Sequence, residues 1–274
     1  MTTINNKHVL ITGGASGIGR RLVLRCAEMG AAVTILDLDE AGATAAAAEA
    51  AALGPGPVRG FACDVGDPAQ VAARAAEVVA AQGPVDILVN NAGVVSGKPL
   101  LELSDEHIER TFRVNTLALF WTTKAFLPAM VARGSGHIVT VASAAGLIGS
   151  PRETDYAASK FAAVGFNEAL RLELKRSAPG VKTTVIRPFY IDTGMFAGVK
   201  TRFPLLLPIL KEANVTERIL RAIQHNAPQL DMPLMVRTVP LMRLLPVWAF
   251  DGLADFFGIT AAMDEFTGRE APRS

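Results

Sequence analysis

The chemistry that this sequence could support is concentrated in Tyr156-Ala-Ala-Ser-Lys160. Tyrosine and lysine four residues apart lie about one turn apart on a helix, so both side chains extend from one face. A free phenol titrates near a pKa of about 10 and is a poor base at neutral pH. A nearby ammonium stabilises the phenolate and makes the tyrosine usable as a general acid or base. Such a pair is usually only a solvated helix face, so its interpretation depends on the rest of the chain.

A dinucleotide-binding turn is predicted near the N-terminus. Lys7–Thr12 is typical of a short buried strand, and Gly13-Gly-Ala-Ser-Gly17-Ile-Gly19 follows it and opens a helical run. Glycines at these positions let the backbone turn sharply and approach a pyrophosphate, whose charge then lies at the helix N-terminus. A simple turn is the alternative, but the strand before and the helix after favour dinucleotide binding.

Asp37 ends the second predicted strand, Ala32–Asp37. A carboxylate at this position accepts hydrogen bonds from an adenosine ribose and repels a 2′-phosphate, which favours NAD over NADP. A helix N-cap is the alternative role for Asp37, and it is the better interpretation for Asp39.

Strands and helices alternate along the remaining chain. Regular alternation implies a parallel sheet with right-handed crossovers, so we predict an α/β fold, a Rossmann-type doubly wound sheet of about seven strands with helices on both faces. Residues 1–236 are expected to form one catalytic domain, and residues 237–274 a hydrophobic C-terminal extension packed on it. Further strands are predicted at 58–63, 85–89, 136–142, 181–187 and 229–235, and helices at 41–53, 68–82, 104–133 and 154–177.

The composition argues against several classes of protein. Half of the 274 residues are hydrophobic, yet we find no uninterrupted apolar run of the roughly 18 residues needed to span a bilayer. The formal net charge of +1 gives no basis for nucleic-acid binding. The N-terminus lacks a signal-peptide core, and no Cys/His cluster has metal-ligand spacing. We therefore expect a cytoplasmic protein without a metal site.

With these residues in place, the chain resembles the short-chain dehydrogenases/reductases over roughly residues 5 to 235. The matching elements are Thr12-Gly-Gly-Ala-Ser-Gly-Ile-Gly19, Asp64, Asn90-Asn-Ala-Gly93, Asn115, Ser143, Tyr156-Ala-Ala-Ser-Lys160 and Pro188–Thr193. One departure is visible, because this family often has glycine after the proline and Phe189 stands here. We expect Phe189 to reshape the pocket wall.

The resemblance implies a role for each catalytic candidate. Tyr156 would exchange a proton with the substrate oxygen, and Lys160 would lower the pKa of Tyr156 and bind the nicotinamide ribose. Ser143 would orient the carbonyl or alcohol, and Asn115 would hold a water that links Lys160 to solvent. The cofactor contacts implied are Gly13, Ser16, Gly17, Ile18, Gly19, Asp37, Leu38, Asp64, Val65, Asn91, Ala92, Gly93, Tyr156, Lys160, Pro188, Ile191 and Thr193.

The region after Thr193 resembles a narrower branch, the retinol and 17β-hydroxysteroid dehydrogenases. The similar segments are Phe189–Phe196, Arg202–Pro208 and the tail as far as Arg269. This likeness implies a lipophilic alcohol or ketone as substrate and a substrate-loop region over residues 189–212. The candidate pocket residues are Ser143, Ala145, Phe189, Met195 and Phe196.

The residues of the tail leave three roles open. Phe203–Leu210 and Val239–Phe257 are apolar, with few charges, and their prolines break any long helix. Such segments can cover a hydrophobic substrate cleft, lie peripherally in a membrane interface, or pack between subunits. The family resemblance implies a homodimer or homotetramer.

We predict an NAD-dependent oxidoreductase that interconverts a lipophilic alcohol with its aldehyde or ketone. Oxidation is the expected direction, because cellular NAD is mostly oxidised. One alternative is an NADPH-dependent reductase of acyl thioesters or xenobiotic carbonyls, against which Asp37 argues. Another is an NAD-binding protein without turnover, against which the complete set of four catalytic candidates argues.

Overall fold

A single parallel sheet organises the computed structural model, which describes residues 1–268. Its seven strands lie in the order β3-β2-β1-β4-β5-β6-β7, so the predicted fold class is confirmed. The strand order reverses between β1 and β4, and ligands of doubly wound folds bind beside the carboxyl ends of strands at such a point. The strands are β1 (His8–Thr12), β2 (Ala32–Asp37), β3 (Val58–Ala62), β4 (Ile87–Asn90), β5 (Gly136–Val141), β6 (Val181–Pro188) and β7 (Gln229–Met232).

The helices follow the predicted alternation with one interruption. The segment expected to be continuous over 104–133 is divided by a π-helical turn, Arg113–Leu117, whereas the helix predicted over 154–177 has those bounds. A short 3-10 stretch, Leu234–Thr238, replaces the end of the last predicted strand. The helices are α1 (Gly17–Glu28), α2 (Glu40–Ala51), α3 (Pro68–Gln82), α4 (Asp105–Phe112), α5 (Ala118–Arg133), α6 (Thr154–Ser177), α7 (Glu212–Gln224), α8 (Val239–Met242) and α9 (Val247–Phe256).

Apolar layers cover both faces of the sheet. Val9 and Ile11 of β1 belong to the layer that contains α1, α2 and α7, while Leu10 belongs to the layer with α3, α5 and α6. Side chains alternate in this way along any strand. Because both of its faces are buried, β1 is a continuous apolar run, as is usual in parallel sheets.

The C-terminal segment returns to the substrate loop after α9. Ala262 and Met263 are buried against Tyr190 and Val199, and the ring of Phe266 lies 6.4 Å from that of Phe196. The part of the predicted extension from Arg269 onward lies outside the described residues. Within residues 1–268, the helices are all too short or too polar to cross a membrane.

A buried ion pair attaches the last strand. Arg187 of β6 and Asp231 of β7 are partners in the strand register. The Nε and Nη2 atoms of Arg187 donate to the two carboxylate oxygens of Asp231 at 2.6 and 3.0 Å. The Asp231 side chain is fully buried. Loss of Asp231 would leave the charge of Arg187 uncompensated in a low-dielectric interior, which is strongly destabilising.

We expect Asp231→Asn to lower the free energy of unfolding by about 3 kcal/mol or more, because Arg187 then remains buried without a counter-charge. Urea unfolding followed by circular dichroism measures the change. The control is Glu265→Gln, which removes the exposed Lys200–Glu265 pair and should cost about 1 kcal/mol or less. Equal effects of the two substitutions would contradict this account of β7.

Candidate active site

One large cavity brings together site residues that are far apart in the sequence. It has a volume of about 1040 Å³ and lies along the carboxyl edge of the sheet. Its walls include every predicted cofactor contact and every predicted pocket residue. Of the four catalytic candidates, Ser143, Tyr156 and Lys160 line the cavity, and Asn115 lies behind its wall.

The glycine loop forms the polar end of the cavity. Gly13 and Gly17 have φ of 66° and 55°, in the left-handed region that favours glycine. A Cβ on Gly19 would collide with the carbonyl oxygen of Gly13. The Asn91 amide fixes the loop by donating to the carbonyls of Thr12 and Gly13, both at 3.0 Å. The result is a cradle without bulky side chains at the N-terminus of α1, and this fits the pyrophosphate of a dinucleotide.

Asp37 and Asp39 have different contacts. The Asp39 side chain accepts a hydrogen bond from the Gly42 amide at 2.9 Å and caps α2, as predicted. Asp37 instead lies at the end of β2, where its two oxygens accept from the amides of Ala15 and Asp39 at 2.9 and 3.0 Å. The Asp37 carboxylate thus lies beside the glycine loop, on the cavity wall with the exposed Leu38.

The three catalytic candidates on the wall meet where α6 passes the end of β5. Lys160 Nζ donates to the carbonyl oxygen of Val141 at 3.1 Å and lies 5.6 Å from the centre of the Tyr156 ring. Ser143, two residues beyond Val141, lies close enough to Tyr156 for its hydroxyl to lower the pKa of that phenol. Its hydroxyl also donates to Pro188 O at 3.4 Å. A phenol, an ammonium and a hydroxyl therefore share one buried surface.

Burial dominates the electrostatics of this surface. Desolvation raises the pKa of Tyr156 well above its ordinary value, and the charge of Glu153 raises it further, while the nearby Ser143 hydroxyl opposes both. Desolvation also lowers the pKa of Lys160 to about 8. The pKa of Tyr156 is thus raised here and not lowered as the family resemblance implied, because removing a phenolate from water is the dominant effect.

Asn115 is held in the π-helical turn that interrupts the predicted helix. Its Oδ1 accepts from Val94 N at 2.8 Å, and its Nδ2 donates to Val94 O and Ser159 Oγ at 2.9 and 3.0 Å. A Cβ added to Gly93 would lie 3.4 Å from Asn115 Oδ1 and 3.5 Å from Lys160 Nζ. Asn115 is thus next to Lys160, separated from the cavity by a glycine. π turns of this kind are frequent at functional sites.

Aromatic rings form the wall beyond Tyr156. The ring of Phe196 lies 5.7 Å from that of Tyr156 and 5.1 Å from that of Tyr190. Phe189, in the position where the family often has glycine, packs its ring 4.5 Å from Tyr190. Together with Met195 and Ala145, these residues make the substrate end of the cavity largely apolar.

Several wall residues were not predicted from the sequence, among them Glu153 and part of the tail. Glu153 lies one helical turn before Tyr156 on the same face, a spacing that could have drawn attention to it. The apolar composition of the tail indicated an apolar surface but not which of its side chains face the cavity. The tail residues that line the cavity are Met235, Val239, Met242, Phe250, Leu253, Phe257 and Ile259.

Among residues 1–268 no cluster of His, Cys, Asp and Glu is arranged to hold a metal ion.

Solved structures of similar proteins share this architecture. A short-chain dehydrogenase/reductase from Burkholderia phymatum in complex with NAD superposes with a TM-score of 0.80 at 29% identity, covering 89% of this chain and 95% of that one. A metagenomic short-chain oxidoreductase in complex with NADP gives a TM-score of 0.69 at 27% identity, covering 84% and 96%.

Curated relatives match over nearly the whole chain. Epidermal retinol dehydrogenase 2 of Homo sapiens is 41% identical over 264 residues, which cover 96% of this chain and 85% of that protein. Retinol dehydrogenase 10 of Rattus norvegicus is also 41% identical, with coverages of 94% and 84%. The family model described as short chain dehydrogenase matches residues 7–202. The chain therefore belongs to the short-chain dehydrogenase/reductase family, as an oxidoreductase acting on CH–OH groups and similar to its retinol dehydrogenases.

Proposed function

We propose that this protein is an NAD(H)-dependent oxidoreductase that interconverts a lipophilic alcohol, of retinol-like, steroid-like or long-chain type, with its aldehyde or ketone. The observation that carries the proposal is one cavity with two different ends. The glycine loop and Asp37 lie at one end, aromatic and aliphatic side chains lie at the other, and Tyr156 and Lys160 lie between them. The similarity to proteins named retinol dehydrogenases supports the same substrate class.

Each part of the chain has a task in this reaction. The glycine loop would hold the pyrophosphate, Asp37 and Leu38 the adenosine ribose, Asp64 and Val65 the adenine. The end of β4 and the segment Pro188–Thr193 would hold the nicotinamide half. The bound nicotinamide supplies the hydride acceptor.

The side chains of the protein carry out the proton transfer. Tyr156 takes the hydroxyl proton during oxidation and returns it during reduction, while Ser143 places a hydrogen bond on the substrate oxygen where charge develops. Lys160 stabilises the phenolate, and Asn115 connects Lys160 to a proton path. The buried surroundings strengthen each of these electrostatic interactions.

NAD is the proposed cofactor because the Asp37 carboxylate borders the site and no Lys or Arg follows it directly in the sequence. A 2′-phosphate there would meet a negative charge without a cationic partner. Similar solved proteins bind NAD in one case and NADP in another, so a direct cofactor comparison is the relevant test.

Asp37→Ala combined with Leu38→Arg should move the NAD to NADP ratio of kcat/KM toward NADP by roughly tenfold or more, a change of about 1.4 kcal/mol. The double substitution removes the repulsive carboxylate and adds a phosphate partner. Leu38→Arg alone is the control and should shift the ratio less, since the carboxylate stays. An unchanged ratio in the double variant would refute the role assigned to Asp37.

The substrate class is tested by NADH formation at neutral to alkaline pH. The panel contains retinol, a 17β-hydroxysteroid, a long-chain alkanol and a short polar alcohol, each with NAD and with NADP. We expect NAD-linked turnover confined to the bulky apolar alcohols, and its loss in Tyr156→Phe. Turnover only with NADP would favour the reductase alternative, and turnover only of the polar alcohol would exclude the substrate class. Activity unaffected by Tyr156→Phe would contradict the assigned base.

The tail is proposed to act both as a lid and as a peripheral contact with membrane lipid. Val239, Phe250 and Leu253 line the cavity, while Leu244 and Trp248 of the same region are 82% and 79% exposed. Inner and outer faces are thus both apolar, which suits a wall between a lipophilic cleft and a lipid surface. We propose a cytoplasmic protein, a homodimer or homotetramer, that meets the membrane through this face.

Trp248 offers a direct test, because the chain has only two tryptophans. Anionic lipid vesicles should shift its fluorescence emission to shorter wavelength as the ring enters an apolar interface. The variant Trp248→Phe retains Trp121 and should show no shift. A short-wavelength emission that is present without lipid and is lost on dilution would instead place this surface between subunits.

A further inference from the structure

Glu153 is a buried carboxyl in the apolar part of the cavity. It is 2% exposed and lines the cavity one helical turn before Tyr156. Its Oε2 accepts a hydrogen bond from the Tyr190 hydroxyl at 3.3 Å. Its Oε1 is buried and has no hydrogen-bond partner among residues 1–268. Leaving a buried acceptor without a partner is unfavourable, so a ligand atom that donates to this oxygen would stabilise it.

The usual structural roles of an acidic residue at a helix start do not account for it. Glu153 occupies the N-cap position of α6, but its side chain makes no capping hydrogen bond. No cation among the described residues forms an ion pair with it, and the neighbouring Arg152 donates instead to Gly97 O at 3.2 Å. The Ser150 hydroxyl nearby donates to Ile259 O at 3.1 Å. The carboxyl is therefore oriented by Tyr190 alone, at a wall that faces ligand.

We propose that Glu153 and Tyr190 form a second polar subsite, which binds a hydroxyl or carbonyl oxygen carried by the lipophilic substrate a few carbons from its reacting carbon. The inference rests on the proposed function and narrows it to oxygenated lipids. Burial raises the pKa of Glu153 to about 7, and the nearby hydroxyls of Tyr190 and Ser150 oppose this shift. Near neutral pH the carboxyl can thus donate to a carbonyl or accept from a hydroxyl.

The two polar groups lie close together on one wall. The charge of Glu153 raises the pKa of Tyr156, and Tyr156 binds the reacting oxygen in the proposed mechanism. A second oxygen three to five carbons along the chain from the reacting carbinol would reach Glu153, whereas an adjacent one or a distant terminal one would not. The Phe196 ring, in contact with both Tyr156 and Tyr190, would cover the intervening carbons.

The test compares a long-chain alkanol with alkanediols of the same length that carry a second hydroxyl on carbon 4, 5 or 6. The measured quantity is the ratio of kcat/KM for the diol to kcat/KM for the alkanol, with NAD. We expect Glu153→Met to lower this ratio at least tenfold for the best diol. Glu153→Gln, which keeps a donor and an acceptor, should hold it within about threefold of wild type. Tyr190→Phe should also lower the ratio of kcat/KM for the diol to that for the alkanol, and Thr154→Ala at the adjacent exposed position should leave this ratio unchanged.

The outcomes separate this subsite from other roles. An equal loss on alkanol and diol in Glu153→Met, with an unchanged ratio, would overturn the subsite and make Glu153 a positioning residue for Tyr156. If Glu153→Met does not fold, the ratio of kcat/KM for the diol to that for the alkanol in Tyr190→Phe decides whether the subsite exists.

If wild type oxidises no lipophilic alcohol, the proposed function fails. Calorimetric binding of the diol and the alkanol to wild type and Glu153→Gln with NAD then still tests the subsite, and equal affinity for both ligands would overturn it.

Discussion

The geometry of the site depends on the hydrogen bond from the Lys160 ammonium to the backbone carbonyl of Val141. This bond joins the first turns of α6 to the end of β5, so it sets the register of the helix against the sheet. Tyr156, one turn earlier, is thereby placed beside Ser143, two residues beyond Val141. Because all of these groups are buried, their interactions are stronger than in water, and the loss of one interaction would weaken the others.

Departures from regular backbone lie near this bond. The π-helical turn around Asn115 lets one amide side chain satisfy both backbone groups of Val94 and contact Ser159 of α6. The bare Cα of Gly93 leaves room for Asn115 and Lys160 to lie close together. The glycine loop likewise relies on conformations and close approaches that a side chain would prevent. Regular structure thus ends where a cofactor and a proton path would need space.

The cavity combines two kinds of surface for two kinds of ligand. Backbone amides and the Asp37 carboxylate surround its nucleotide end, whereas the substrate end is closed by aromatic rings and by the tail. The tail residues come from a segment with apolar side chains on both faces, some in the cavity and others, such as Trp248, exposed. Within this apolar end the carboxyl of Glu153 is the exception, so it is the group there best able to distinguish one lipid from another.

The sequence by itself determined the fold class, the bounds of α6 and the capping role of Asp39. These follow from local periodicity and capping chemistry, which act between residues close in the chain, whereas the resemblance to a known family supplied the predicted cofactor and pocket residues that line the cavity. Only the tertiary structure decided that the helix breaks at Asn115, that burial raises the pKa of Tyr156, and that Glu153 loses contact with water. Those features depend on contacts between segments that are distant in sequence. Local propensities do not depend on such contacts and therefore cannot predict them. The same reason explains why the tail was identified as apolar, while the choice of side chains that line the cavity required the fold.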